Sequence, residues 1–376
     1  MLYLDHAATT PLRPEAREAM APFLGDGFGN PSGVHRVARH AKNALEDARE
    51  QAAALLGAIH PLEIVFTGGG TEADNLGVAG PALAGGHRRG VVTTAVEHEA
   101  VLETARFLET LGCSLDVIGV DAAGRVDPAA VAAAVTVETA VVSVMAANNE
   151  TGVRQPIAEV VARVGECPGG TLVHTDAVQC FVSEEVGVGE WGVDLLTLAS
   201  HKFGGPKGVG LLYVRDGVGL EPVLHGGGQE IGRRSGTHNV AGIVGMVAAM
   251  EATAADRDRF RSDVAVARSR FEDRLAGVLG AEVTTGGVGR LTQHSHLRIP
   301  GIAAETLLIL LDRAGLAAAA GSACHSGAVQ EFPVLAAMGM SPAAAAECIR
   351  FTFGWTTVPG DGDDAAALVL EAVGSR

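Results

Sequence analysis

The sequence predicts an α/β fold in which a mostly parallel sheet is covered by helices. Three observations lead to this prediction. Short apolar runs alternate with Ala-rich stretches between residues 13 and 254, polar residues follow several of the runs directly, and 50 glycines provide for tight turns. Strands that alternate with helices are typical of a parallel sheet with both faces covered. At 376 residues the chain exceeds the usual size of one core, so we expect a large and a small domain.

Four apolar runs are the clearest strands of the large domain. They cover residues 63–66, 90–94, 140–144 and 171–174, and the Ala-rich stretches between them are predicted helices. In open α/β sheets a ligand binds outside the carboxyl ends of the strands, so polar residues that follow strands are expected to converge on one crevice. Five such clusters are present: Thr67 with residues 68–71, Glu97–His98, Asn148–Asn149, Asp176 and Ser200–Lys202.

The region after the large domain begins with residues 240–279, which predict one or two long helices that start apolar and become charged. The tail then has a predicted strand at residues 294–299 and predicted helices at residues 303–314 and 342–348, enough for a smaller α/β layer. The expected bounds are 13–254 for the large domain, and 1–12 together with 255–376 for the small domain.

Charge and hydropathy exclude several classes of partner. The formal net charge is −16 and no Lys/Arg cluster is present, whereas binding to nucleic acid or to anionic membranes requires dense positive charge. The N-terminal residues show no basic segment followed by an apolar stretch, and no apolar run approaches the roughly 20 residues that span a bilayer. We therefore expect a cytoplasmic protein without nucleic-acid or membrane partners.

The five cysteines are an odd number and include no CxxC pair. This pattern disfavours a disulfide framework and a zinc site, so we expect no metal centre. Cys324 lies in an Ala-rich, Gly-flanked stretch that we interpret as a mobile loop, where a thiolate could reach a substrate. The other four suit small buried hydrophobic residues in strand or helix contexts; they are Cys113, Cys167, Cys180 and Cys348.

Lys202 is one of only three lysines in the chain and lies between a histidine and a glycine-rich turn. A primary amine forms a Schiff base with a carbonyl cofactor, whereas an arginine stays protonated and cannot. The sequence around Lys202 alone leaves a solvated structural lysine as an equal alternative.

Two further motifs have both a functional and a structural interpretation. Residues 66–75 follow a strand and open a helix, so the backbone amides and the Thr71 hydroxyl could hold a phosphate, although many glycine-rich turns are only turns. Asp176 ends an apolar strand, where a pyridinium N–H or an arginine would satisfy its carboxylate. Asp176 could equally be the N-cap of a helix that starts at Ala177.

Taken together, these motifs resemble the fold-type-I pyridoxal-phosphate enzymes, and more narrowly the cysteine desulfurases of the housekeeping iron-sulfur cluster class. The resemblance covers nearly the whole chain, and the motifs occur in the family's order. Their residues are 3–11, 29–32, 66–75, 97–98, 148–152, 174–179, 200–208, 234–237, 321–324 and 349–351.

The resemblance implies pyridoxal 5'-phosphate as cofactor, a seven-stranded sheet in the large domain, and a homodimer with active sites at its interface. By this resemblance, Lys202 would bind the cofactor covalently, Asp176 would pair with the pyridine nitrogen and His98 would stack on the ring. His98 has the alternative of a helix cap or a core histidine. Further implied cofactor contacts are Asn149 and Gln179 near the ring oxygen, Gly70, Thr71, Ser200 and His201 at the phosphate, and Thr237 reaching the phosphate from the partner subunit.

The resemblance also implies the reaction. Arg350, with Asn149 nearby, would bind the carboxylate of L-cysteine through its guanidinium, although an ordinary salt bridge is the alternative role. The Cys324 thiolate, carried by the small domain, would take the sulfur atom as a persulfide and leave L-alanine. The sulfur would then pass to an acceptor or cluster scaffold protein.

The chain departs from the family pattern after Cys324. His325 stands where the family has a small residue, and we hypothesise that it promotes thiolate formation or tunes the choice of acceptor. Residues 329–333 also differ, which leaves both iron-sulfur cluster assembly and a dedicated thiolation pathway open. Rival functions are a selenocysteine or cysteine-sulfinate lyase, an aminotransferase of the same fold, and an inactive scaffold.

Overall fold

The computed structural model describes residues 1–321 and 332–374. Its strands are β1 (Leu2–Tyr3), β2 (Ile64–Thr67), β3 (Gly90–Thr94), β4 (Leu115–Ile118), β5 (Thr139–Ser143), β6 (Leu172–Asp176), β7 (Leu195–Ala199), β8 (Gly210–Val214), β9 (Glu282–Val283), β10 (His294–Arg298), β11 (Leu316–Ala317) and β12 (Cys348–Thr352). Its helices are α1 (Pro14–Leu24), α2 (Arg36–Leu56), α3 (Gly70–Ala84), α4 (Glu99–Thr110), α5 (Pro128–Ala134), α6 (Ile157–Gly165), α7 (Val188–Trp191), α8 (Val240–Leu279), α9 (Ala304–Ala314), α10 (Pro333–Ala337), α11 (Pro342–Ala345) and α12 (Asp361–Gly374).

The larger sheet of the described chain has seven strands in the order β2-β8-β7-β6-β5-β3-β4. All neighbours pair in parallel except those of β8, which runs antiparallel to β2 and β7. Strands β3 and β5 to β8 are buried along their whole length or nearly so, as expected when helices cover both faces. The predicted α/β class and the mostly parallel seven-stranded sheet are confirmed.

The C-terminal region forms a second, smaller group of strands together with β1. β12, β10 and β9 form an antiparallel sheet, and β1 pairs in parallel with β11. The N-terminal strand therefore lies with the last third of the chain. Phe271 of α8 packs edge-on against Phe351 of β12, with 4.8 Å between ring centroids, in the apolar cluster of this region.

Helix α8 connects the two regions as one continuous helix of 40 residues, where the sequence left one or two helices open. Its first half, including Ile243 and Met246, packs in the core of the seven-stranded sheet. Its second half, including Phe260 and Phe271, packs in the smaller core. The predicted domain division at residue 254 falls inside this helix and stays a prediction, and the two separate cores are the observation that favours it.

One element and several cysteine contexts differ from prediction. Helix α11 ends at Ala345 rather than at residue 348, and Cys348 instead begins strand β12, because the run to Thr352 pairs with β10. Cys113, Cys167 and Cys180 lie in turns or loops rather than in strands or helices. Cys113, Cys180 and Cys348 are nevertheless buried, whereas Cys167 is partly exposed.

Within residues 1–321 and 332–374, no helix combines the length and the apolar character that crossing a bilayer requires.

Candidate functional site

A cavity of about 200 Å³ lies at the carboxyl ends of the central strands. The polar clusters that follow the strands meet there, as their position in an α/β sheet predicts. Asp74 and Met145 also line the cavity, and neither was singled out from the sequence. The predicted site residues that line it are Gly70, Thr71, His98, Asn149, Asp176, Gln179, His201 and Lys202.

Lys202 is placed by a short 3₁₀ turn over residues 200–202, directly after β7. Its amine donates hydrogen bonds to the main-chain oxygens of Ala7 and, at 3.0 Å, of Ala8. Burial and the nearby Arg350 charge lower the pKa of Lys202 to about 8, against the attraction of Asp176 and Asp5. A neutral amine is therefore available near physiological pH, which is what attack on a carbonyl requires.

Asp176 is the last residue of β6, and its carboxylate accepts a 2.8 Å hydrogen bond from the Val178 N–H. Residues 178–183 form turns and no helix starts at Ala177, so the helix N-cap alternative is wrong for this residue. Burial raises the pKa of Asp176, and the charges of His98 and Lys202 oppose this. A cationic N–H placed in the cavity would stabilise the carboxylate in its charged form.

His98 is both a cavity residue and a helix cap. It is the N-cap of α4, where its Nδ1 accepts a 3.1 Å hydrogen bond from the Ala100 N–H. This bond assigns the ring proton of a neutral imidazole to Nε2 and holds the ring beside the cavity. The capping role that the sequence left as an alternative is therefore compatible with a role in the cavity.

The N-terminus of α3 lines one end of the cavity with Gly70 and Thr71. Gly69 has a φ of 149°, a conformation that other residues rarely adopt, and this turn leads directly into the helix at Gly70. The first N–H groups of a helix lack intrahelical acceptors and carry partial positive charge. Gly70, Thr71 and His201 also line an adjoining surface depression of about 750 Å³, so this end of the cavity can accept an anionic group.

Two site residues on this side differ in exposure from the others. Ser200 is fully buried, and its hydroxyl oxygen has no hydrogen-bond partner among the described residues. Thr237 is exposed at the surface and does not line the cavity.

His201 contacts the Thr9 hydroxyl through Nδ1 at 3.2 Å. Burial and the charges of Lys202 and Lys207 lower the pKa of His201 to about 4.

Arg350 is almost fully buried on β12, and its guanidinium is held from two sides. Nη2 donates to the Asp5 carboxylate at 2.8 Å, and Nη1 donates to the Asn149 main-chain oxygen at 2.9 Å. The salt bridge that the sequence left as an alternative therefore exists. Arg350 does not itself line the cavity, but its bond to the Asn149 oxygen joins it to a residue that does. Asp5 was part of a recognised motif but had no predicted role, because no local pattern signals a contact across 345 residues.

Cys324 and His325 lie outside the described residues, so their predicted roles stay predictions. The first described range ends at Gly321, where an added Cβ would lie 2.8 Å from the Glu150 carboxylate. Glu150 directly follows the cavity residue Asn149.

Comparison with known proteins shows the family of the chain. The family model described as aminotransferase class-V matches residues 2–359 of the chain. The cysteine desulfurase IscS of Dictyoglomus turgidum is 41% identical over 368 residues, which cover 96% of this chain and 91% of the relative.

Solved structures are similar over the same extent. A structure described as a NifS-like protein has a TM-score of 0.93 and 34% identity, and all of both chains is covered. A structure described as SspA in complex with cysteine has a TM-score of 0.83 and 32% identity, and covers 95% of this chain and 100% of its own.

Proposed function

We propose that the chain, which belongs to the cysteine desulfurases of the aminotransferase class-V family, removes sulfur from L-cysteine and releases L-alanine. The sulfur then passes to an acceptor protein. The observation that carries this proposal is the meeting of Lys202, Asp176 and His98 in one cavity. An amine of lowered pKa, a buried carboxylate and an oriented imidazole are the groups that amino-acid chemistry on a carbonyl cofactor requires.

The cavity fits pyridoxal 5'-phosphate as the cofactor. Lys202 offers an amine for the aldehyde, and the carboxylate of Asp176 offers a partner for the pyridinium N–H. The α3 N-terminus at Gly70 and Thr71 offers N–H groups for the phosphate. The Ser200 hydroxyl, which no described residue pairs with, lies in the turn that carries Lys202. When bound, pyridoxal phosphate supplies a carbonyl for the substrate amine and a ring that withdraws electrons from Cα.

The remaining steps depend on side chains of the chain itself. We infer that the Lys202 amine would move the Cα proton as a general base, since its pKa of about 8 suits proton transfer near neutrality. With the cofactor bound, Asp176 would keep a proton on the pyridine nitrogen, His98 would stack on the ring, and Asn149 and Gln179 would contact the ring oxygen. Arg350, with Asn149 beside it, binds the substrate carboxylate.

The sulfur transfer is assigned to Cys324. Its thiolate attacks the sulfur of bound cysteine, an S–S bond forms, and the C–S bond breaks with its electron pair left on carbon. The carbon takes up a proton and alanine leaves, so Cys324 holds a persulfide. An acceptor thiol then removes the outer sulfur, for cluster assembly or for thiolation of another molecule.

We also propose a homodimer in which Thr237 reaches the phosphate of the neighbouring site. Thr237 is exposed and lies in a segment that also exposes Leu224 and Ile231, with 41% and 66% of their surface accessible. Exposed large apolar side chains of this kind are common at protein interfaces.

Alanine formation tests the proposed function. Wild-type protein loaded with pyridoxal phosphate is expected to convert L-cysteine to alanine in the presence of a thiol reductant. Cys324→Ala is expected to lose at least about a hundredfold in rate, because no thiolate can accept the sulfur. Alanine is measured by chromatography, and a persulfide on residue 324 by mass spectrometry.

Cys167→Ala is the matched control, because Cys167 is partly exposed and does not line the cavity. It should retain the wild-type rate. Equal alanine formation by Cys324→Ala and wild type would reject the thiolate mechanism and favour a lyase that releases sulfur directly. No alanine from the loaded wild-type protein would reject the desulfurase function.

A further inference from the structure

The N-terminal segment, residues 5–10, contacts the predicted site from one side. It belongs to neither the strands nor the helices of the large sheet, yet its groups meet side chains from several elements of the site. The contacts of Lys202 with Ala7 and Ala8 are the first of these. The others are Gln179 Nε2 with the Ala7 oxygen at 3.1 Å, His201 with Thr9 at 3.2 Å and Arg350 with Asp5 at 2.8 Å.

The backbone around Asp5 is fixed relative to β12, the strand that carries Arg350. Thr352 N donates to the Leu4 oxygen at 2.7 Å, and Ala7 N donates to the Thr352 hydroxyl at 2.8 Å. The Tyr3 hydroxyl donates to the Asp5 main-chain oxygen at 3.0 Å. The Asp5 carboxylate is therefore held in place independently of its bond with Arg350.

The guanidinium of Arg350 is oriented by only part of its donors. Nη2 is bound by Asp5 and Nη1 by the Asn149 oxygen, which together fix the guanidinium plane. Nε is buried and has no hydrogen-bond partner among the described residues. A buried donor without a partner costs free energy, and the Nε edge is the part of the guanidinium that still lacks an acceptor.

Asp5 also balances charge at this position. The Arg350 side chain is 6% exposed, and a buried guanidinium without an anion is strongly unfavourable. With Asp5 beside it, the pair is neutral before substrate enters, and the remaining guanidinium edge still offers N–H donors to a carboxylate.

We propose that Asp5 is a positioning residue that holds the Arg350 guanidinium with its Nε edge turned to the substrate carboxylate. This inference rests on the proposed function, because it takes the carboxylate of an amino acid as the ligand of Arg350. Two other roles of Asp5 would have different effects on ligand binding and stability. Asp5 could compete with the substrate for Arg350, or it could contribute only to folding.

Binding of 3-mercaptopropionate to the pyridoxal-phosphate-loaded protein tests the inference. This probe has the carboxylate and thiol of cysteine but no amine, so it reports carboxylate binding without reaction. By isothermal titration calorimetry, Asp5→Ala is expected to weaken binding about tenfold, because a buried guanidinium loses its orienting partner. Asp5→Asn retains an oxygen acceptor and is expected to stay within about threefold of wild type.

The KM for L-cysteine should rise most in Asp5→Ala and little in Asp5→Asn. In both variants kcat should change less than KM. Asp26→Ala removes an exposed carboxylate and is the control for net charge. In an Arg350→Gln background, Asp5→Ala should have no further effect on probe binding, because residues that act through one another are not additive.

Three results would overturn the inference. Tighter probe binding in both Asp5 variants would show competition with the substrate. Probe binding equal to that of Asp26→Ala, with lowered stability, would show a role in folding only. An Asp5→Ala effect that persists in the Arg350→Gln background would show that Asp5 does not act through Arg350.

A wild-type protein that makes no alanine would reject the desulfurase function, while the probe titrations would still decide the role of Asp5.

Discussion

At the scale of single residues, the environment of Lys202 decides when its amine can react. Burial and the Arg350 charge lower its pKa to about 8, so about a tenth of the free amine is neutral at pH 7 and about half at pH 8. We expect the rate of covalent pyridoxal phosphate attachment to cofactor-free protein to rise about fivefold over this interval and to level off above about pH 9. Stopped-flow absorbance of the aldehyde measures this rate.

Lys207→Gln is the control for this prediction, since Lys207 also lies near the glycine-rich end of the site. Its pH profile should match that of the wild type, and Lys202→Ala should show no attachment. A rate that keeps rising tenfold per pH unit up to pH 10 would show that the Lys202 amine is not perturbed.

At the scale of elements, the segment that leads to Thr237 contains a strained turn held by one buried carboxylate. Glu230 and Ile231 have φ values of 50° and 58°, which cost non-glycine residues about 1–2 kcal/mol each. Glu230 accepts two hydrogen bonds from Arg49, at 2.7 and 2.8 Å, one from the Phe66 N–H at 3.0 Å, and contacts His238 at 2.7 Å. The ion pair with Arg49 ties the turn to α2, and the hydrogen bond from Phe66 ties it to β2.

The same carboxylate makes a testable contribution to acid stability. Burial alone would raise the pKa of Glu230, but hydrogen bonds from Arg49 and His238 lower it to about 2, from an ordinary value of 4.5. A lowered folded-state pKa stabilises the protein above pH 4.5, and this stabilisation is lost as the pH falls toward 2. In urea unfolding, the free energy of unfolding should fall by about 2 kcal/mol between pH 5 and pH 3 because of Glu230.

Glu230→Gln should lose this pH dependence and should be less stable at pH 7, because the buried Arg49 guanidinium loses the carboxylate on its two terminal nitrogens and keeps only the more exposed Glu46 at 3.3 Å. Glu103→Gln, an exposed residue, should unfold with the wild-type pH dependence. An equal pH slope in Glu230→Gln and wild type would contradict the assignment.

At the scale of the whole molecule, the proposed homodimer predicts a sedimentation mass of about twice the 38.3 kDa chain. Ile231 is 66% exposed in the segment that carries Thr237, so Ile231→Asp is expected to weaken the dimer at least about tenfold by placing a charge in an apolar interface. Ile59 is 95% exposed elsewhere, and Ile59→Asp should leave the mass unchanged. A monomeric wild type at micromolar concentration would reject the dimer.

Local patterns were sufficient for most of the fold. Alternating apolar and Ala-rich segments predicted the parallel strands β3, β5 and β6, because buried strands carry continuous apolar runs. The prediction of a helix at residues 342–348 was wrong at its C-terminal end, because pairing of Cys348–Thr352 with β10 overrides the local helix preference. Element ends depend on partners that a local window does not contain.

The sequence by itself determined the family and the place of the site, because Asp176, His98 and Lys202 follow strands whose carboxyl ends must meet at one edge. Only the tertiary structure decided how these groups are held. The bond between Asp5 and Arg350 joins residues 345 positions apart, and Lys202 reaches the carbonyls of Ala7 and Ala8 across 195 and 194 positions. Such contacts depend on how β1 and β12 are brought together, and the lowered pKa of Lys202 depends on the burial that this packing creates.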